Sequence, residues 1–133
     1  MPCVGDLVKL KTDVIVNPAN VSLRHEGGAA LAIATAAGDE LVEDCKIFIR
    51  STGGAPLQTS KVMHTRPGKL RHLMKFVIHA AGPDARLVKD PVKCYNLLKD
   101  TFFHCLIYAN NILQVGSIAI PAISSGKIKF LPF

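Results

Sequence analysis

The sequence predicts an α/β fold: a mostly parallel sheet covered by helices on both faces. The segments Thr12–Asn17 (TDVIVN), Phe76–Ala81 (FVIHAA) and Ser117–Ile123 (SIAIPAI) carry consecutive rather than alternating apolar residues, as strands buried on both faces must. Stretches with helical apolar periodicity separate them. The strand exits carry the polar and glycine-bearing runs NPAN, HAAGP and AISSG, and such sheets bind ligands at the carboxyl ends of their strands.

Each element has its own signature. After the first strand, Gly28–Ala37 (GAALAIATAA) reads as a small-residue helix that Gly38 ends in a left-handed conformation. Asp39 is placed to cap the next helix, whose Leu41, Val42, Cys45 and Ile49 share one face. Ser60–Thr65 (SKVMHT) is a candidate strand, followed by the basic turn TRPGKLRH. Arg66, Lys69, Arg71 and Lys75 read as the solvated surface of that turn. In FVIHAA, His79 reads as a buried, hydrogen-bonded histidine rather than a catalyst, and Gly82-Pro83 closes the strand. Asp90-Pro91 opens a long helix as N-cap and first-turn proline. Its apolar face is Tyr95, Leu98, Phe102, Cys105, Leu106 and Ala109, and Asn110-Asn111 end it. No repeat, low-complexity segment or linker interrupts the chain, so residues 1–133 are expected to form one domain.

The composition is globular: 133 residues, 49% apolar and 20% charged, enough for a hydrophobic core. No apolar run approaches the roughly 20 residues of a membrane span. In MPCVGDLVKLK the basic residues follow the short apolar stretch, the reverse of a signal peptide. A nuclear or cytoplasmic location without a membrane partner is expected. Cys3, Cys45, Cys94 and Cys105 form no CxxC pair and have no histidine at zinc-finger spacing, so buried free thiols are expected and no metal. The net charge of +6 favours anionic partners. An aromatic content of 6% without Trp offers few stacking platforms, so nucleic acid is expected only as a weak electrostatic partner.

Both standard phosphate motifs fail. A P-loop ending at Gly126-Lys127 would need glycine at Pro121 and a hydroxyl at Ile128, and the Gly27-Gly28 and Gly53-Gly54 doublets lack the third glycine of GxGxxG. Two strand-end loops remain that could present backbone N–H groups to an anion: His25–Ala29 and Ser124–Gly126.

The opening GDLVKLKTDVIVNPANVSLRHEGGAALAIATAAG resembles that of a macrodomain, the ADP-ribose-binding module, whose pattern runs GDI, VNAAN, a glycine-rich loop and an Ala-rich helix. VIHAAGP and IAIPAISSG resemble its later strands in the right order. The likeness covers residues 5–126 and leaves 127–133 as a divergent tail. It is closest in flavour to macrodomains of poly(ADP-ribose) polymerase-type proteins, although no transferase domain is recognised in this chain. The resemblance implies a three-layer α/β/α fold that binds ADP-ribose and mono-ADP-ribosylated proteins, with no cofactor required.

It also implies roles. Asp6 would accept from the adenine amine beside the Leu7 N–H; read alone, Asp6 is a solvated loop aspartate. Asn20 would bond the distal ribose; read alone, it is a turn residue bonding its own backbone. Asn17 divides evenly between a ligand role and satisfying loop backbone, and Ala19 lines the same exit. Gly27, Gly28 and Ala29 would line the diphosphate and distal ribose, glycine allowing close backbone approach. Ser124, Ser125 and Gly126 would hold the diphosphate from the opposite wall.

Departures from the pattern matter too. Glu26 replaces the first glycine of the usual run, and Ala30 stands where MacroD-like hydrolases carry an acid that positions water. A reader module is therefore favoured; the alternative is an ADP-ribosyl hydrolase using Asn20 as its catalytic residue. The start near GDL and the ending KIKFLPF lead to the expectation of a piece truncated at both ends, with edge strands missing and a sheet edge exposed.

Overall fold

The computed structural model describes residues 8–20, 23–25, 28–84 and 86–121. In chain order it contains β1 (Val14–Ala19), α1 (Gly28–Ala37), α2 (Asp39–Ser51), β2 (Val62–Thr65), a 3-10 turn (Gly68–Leu70), β3 (Phe76–Ala81), α3 (Pro91–Ile107) with a π-helical extension (Tyr108–Leu113), and β4 (Ile118–Ala119). The sheet order is β2-β3-β1-β4. β1 runs parallel to β3 and to β4, while β2 is antiparallel to β3. Two of the three pairings are thus parallel, as the strand composition predicts.

The double-sided apolar strands produce two cores. Ile15, Val77 and Ala81 face α1 and α2, joining Ile33, Ala34, Leu41 and Cys45. Val14, Val16, Ile78 and Ala80 face the other way, against Cys105 and Ala109 of α3 and its extension. Residues 14 to 17 are each fully buried, which no single-faced strand achieves. The result is the expected α/β/α layering.

Several boundaries differ from expectation, each for a local reason. β1 begins two residues late because Thr12 and Asp13 are tied sideways to residues 116–117. Ser117 Oγ accepts from the Asp13 N–H at 2.9 Å, and the Asp13 carboxylate accepts from the Gly116 N–H at 2.9 Å. Ser60 sits at φ +70° and so cannot continue a strand, and β2 starts at Val62. Gly38 ends α1 at φ 84°, ψ −159°, an extended mirror conformation rather than a left-handed helical one, and itself precedes α2 as N-cap. Asp39 is therefore not a capping side chain; with Glu40 it lies in the first turn, favourably placed for the helix dipole.

On α3, Asp90 caps as predicted, accepting from the N–H groups of Val92 and Lys93 behind Pro91. Leu98, Phe102 and Leu106 pack half-buried around Cys105, but Tyr95 is 65% exposed and does not belong to the apolar face. Asn110-Asn111 do not end the helix: it widens into the π-turn and stops at Gln114, which adopts the left-handed conformation. Cys45 and Cys105 are free buried thiols and Cys94 is a free, half-buried one.

The basic turn is more engaged than its composition suggests. Arg66 forms a fork onto Asp44 at 2.8 and 3.0 Å, and Arg66 and Arg71 both reach Glu40. The Arg66 hydrogen bonds hold the Asp44 carboxyl below its usual range. These exposed pairs fasten the turn to α2.

Gly68 shows how closely α1 is seated. It lies at φ +58°, and a Cβ there would fall 2.2 Å from the Ala37 carbonyl oxygen. Gly53 also has positive φ, +69°, but nothing within 4 Å of such a Cβ. Gly68→Ala is expected to cost about 2–4 kcal/mol, combining backbone strain with overpacking. Gly53→Ala should cost about 1 kcal/mol from strain alone. Urea unfolding of both variants checks the contrast.

Candidate functional site

The carboxyl ends of the parallel strands β1 and β3 lie side by side, with Asn17 opposite His79 and Ala19 opposite Ala81. The chain leaves β1 through Asn20, makes a short loop, and enters α1 at Gly28. Ala19, Asn20, Gly28 and Ala29 thus flank the connection from β1 to α1, whereas Asn17 lies two residues inside β1 and is fully buried. Asp6, Leu7, Gly27, Ser124, Ser125 and Gly126 lie outside the described residues.

Asn20 holds the loop. Its Nδ2 donates to the Arg24 carbonyl at 2.9 Å, and its Oδ1 accepts from the Arg24 N–H at 3.0 Å. The amide thus mimics a backbone pairing across the loop, while the Asn20 carbonyl accepts from Leu23 N–H. Leu23 is buried and sits at φ +55°, an uncommon conformation for a bulky residue that only its surroundings can enforce. Gly28 opens α1 at φ +59°, yet a Cβ there would meet nothing within 4 Å. Among the described residues, backbone conformation rather than crowding selects glycine at this position. The first N–H groups of the ten-residue α1 lack intrahelical partners and carry the positive end of its dipole.

Below the loop lies a buried polar row. Asn17 Nδ2 donates to His79 Nδ1 at 2.9 Å, so Nδ1 is the acceptor and the ring proton sits on Nε2. Nε2 in turn donates to Thr65 Oγ1 at 2.9 Å, with Cys45 Sγ 4.0 Å away. The Asn17 Nδ2 is therefore taken by a neighbouring strand rather than by loop backbone, and its Oδ1 has no partner among the described residues. His79 is the buried, bonded histidine its strand context predicts. Sequence reasoning did not place Thr65 or Cys45 in this row, and reached His25 only as part of the His25–Ala29 loop; its ring lies 5.8 Å from that of His79. The available signal was that Met63 and Thr65 share a strand face, but pairing of that face with His79 is a tertiary fact.

Burial drives the His79 pKa from 6.5 down to about 3, and burial also pushes the Cys45 thiol up to about 12. Both side chains are neutral at physiological pH. Between these two His79 values the unfolded chain binds a proton that the folded chain refuses. The stability at stake is fully present above pH 6.5 and is lost as pH falls towards 3. His79→Gln should flatten the stability–pH curve over this interval relative to the parent, measured by urea unfolding at each pH.

Comparison with known proteins places this geometry. The chain matches the Macro domain family over residues 16–132. It is 40% identical over 126 residues to the human protein mono-ADP-ribosyltransferase PARP14, covering 95% of this chain and 7% of that protein. It is 39% identical over 122 residues to an O-acetyl-ADP-ribose deacetylase of Salmonella typhimurium, covering 92% of this chain and 64% of that one. Among solved structures it resembles the Oceanobacillus iheyensis macrodomain with ADP, with a TM-score of 0.81 and 34% identity, over 91% of this chain and 62% of that one. It also resembles the Trypanosoma brucei macrodomain in complex with ADP-ribose, with a TM-score of 0.73 and 26% identity, over 90% and 44% of the respective chains. The chain thus spans under two thirds of the length of each of these relatives. With the family model matching most of the chain and the fold shared with solved macrodomains, this chain belongs to the macro domain family.

Proposed function

We propose that this chain binds ADP-ribose at the β1–α1 mouth and reads it on mono-ADP-ribosylated proteins. The observation that carries this reading is the placement of Gly28. It opens α1 at a positive φ, in the connection that leaves the carboxyl end of β1, and no described atom lies within 4 Å of where a Cβ would stand. A helix N-terminus with bare backbone attracts a diphosphate, and Asn20 fixes the loop that leads to it. Family membership and macrodomain neighbours described with ADP and ADP-ribose support the same ligand.

The deacetylase relative supports a second reading, hydrolysis of an ADP-ribose ester. Weighing against it, Ala30 occupies the first turn of α1 and is buried, and α1 has no acidic residue in that turn. Asn20, the residue on which hydrolysis would depend, has its amide engaged by Arg24.

Calorimetric titration with ADP-ribose, AMP and a short RNA in parallel tests the ligand, with ADP-ribose expected to bind best. Gly28→Glu should abolish ADP-ribose binding while leaving the far-ultraviolet circular dichroism unchanged, because the side chain and its charge would block the helix start. Retained affinity would remove this loop from the site. Slow or absent release of ADP-ribose from a modified acidic side chain is expected; rapid release that Asn20→Ala eliminates would make the chain a hydrolase.

A further inference from the structure

Among the described residues β2 is an outer strand of the sheet, paired with β3 alone. Hydrogen bonds in an antiparallel pair fall on alternate residues. The Ala81 N–H donates to the Lys61 carbonyl, and Met63 and Thr65 follow opposite His79 and Val77. These odd-numbered residues therefore turn their backbone groups towards β3. The N–H and C=O groups of Val62 and His64 point the other way, off the free edge. Side chains close that edge at both ends. His104 of α3 donates to the Ser60 carbonyl, and Asp44 of α2 accepts from the Arg66 N–H at 2.9 Å. Between these two caps the backbone edge is unspent.

The open stretch is the floor of a cleft of about 330 Å³. Ile47 and Phe48 of α2 form one wall, and Tyr108 from the π-helical extension forms the other. Tyr108 is held there by a hydrogen bond of 2.6 Å between its hydroxyl and His64 Nδ1. Phe48 and Tyr108 pack on opposite faces of the sheet, so the strand edge is recessed between the two helical layers. Ile47 is exposed although it is apolar. The charge along the edge is uneven. Arg66 is already paired with Asp44 and Glu40, whereas Lys61, beside Val62, is exposed and has no acidic partner among the described residues.

We propose that this cleft binds an extended segment of a partner protein, which adds to β2 as a further strand. The backbone of Val62 and His64 would pair with it, an apolar side chain would rest on Ile47 and Phe48, and an acidic one would meet Lys61. Main-chain bonds supply affinity in such strand addition, and alternate side chains supply selectivity. A single chain can reach a recessed edge at the strand spacing of about 4.8 Å. A second copy of this protein would bring its own α2 and Tyr108 against the same walls. The proposal is independent of the ADP-ribose reading, since β3 separates β2 from β1.

A displayed library of random short peptides, selected on the whole chain, supplies the probe. Selected peptides are expected to alternate apolar with polar residues and to carry an acid. Made synthetically, they should shift the amide signals of Val62 and His64 in 15N-labelled protein. N-methylation at the alternate peptide residues that pair with β2 should abolish binding, while N-methylation at the residues between them should not. Val62→Pro removes an outward N–H that no ladder bond uses and should weaken the peptide roughly tenfold, with the far-ultraviolet circular dichroism retained. Ile47→Lys, at an exposed helix position, should weaken it without touching the strand. A library without binders, binders indifferent to the site of N-methylation, or amide shifts confined to other elements would each overturn the proposal. So would a concentration-dependent dimer that Val62→Pro or Ile47→Lys dissociates in sedimentation measurements, which would give the edge to a second copy.

Discussion

The parallel pairing of β1 with β3 is the constraint from which the rest of the molecule follows. It sets Asn17 beside His79 on the face that α1 and α2 cover, where two polar side chains must be satisfied without water. The Asn17–His79–Thr65 row satisfies both nitrogens of His79 by fixing one tautomer, with donors and acceptors alternating across three strands, and leaves Asn17 Oδ1 without a partner among the described residues. A one-residue slip in register would turn the row to the opposite face and leave these groups unpaired in an apolar core. The polar row therefore costs desolvation but specifies register, and register places the β1 and β3 exits together.

Everything at the mouth of the sheet is arranged against that fixed floor. Alanines on α1 let the helix lie close to the strands, and Gly68 lets the 3-10 turn pass over its last carbonyl. In the connection from β1 to α1, Leu23 is held at positive φ. The Asn20–Arg24 clamp resists relaxation of that strain. A preformed loop lowers the ordering cost of binding, which connects core packing directly to affinity.

Most of the layering was legible in the residues. Runs such as VIV and FVI state two-sided burial, and Asp90-Pro91 states a helix start. The misreadings share one cause: local signals overruled by distant partners. Thr12 and Asp13 look like strand but are drawn away by residues 116–117, more than a hundred positions on. Tyr95 fits the helical period yet faces solvent because no element covers it among the described residues. At the site, the asparagines and glycines announced themselves, whereas the partners of Asn17 could not. Only the fold reveals that its Nδ2 is bound to His79 and that its Oδ1 is left without a partner among the described residues.

The central claim is that the β1–α1 mouth, and not another face of the molecule, receives ADP-ribose. Backbone amide shifts in 15N-labelled protein test this directly. On addition of ADP-ribose, the largest changes should cluster at Asn20, Arg24, His25, Gly28 and Ala29. The exposed apolar surface of α3 around Tyr95 and Phe103 should remain still. Changes concentrated on α3, or saturation with no change at Gly28 and Ala29, would contradict it.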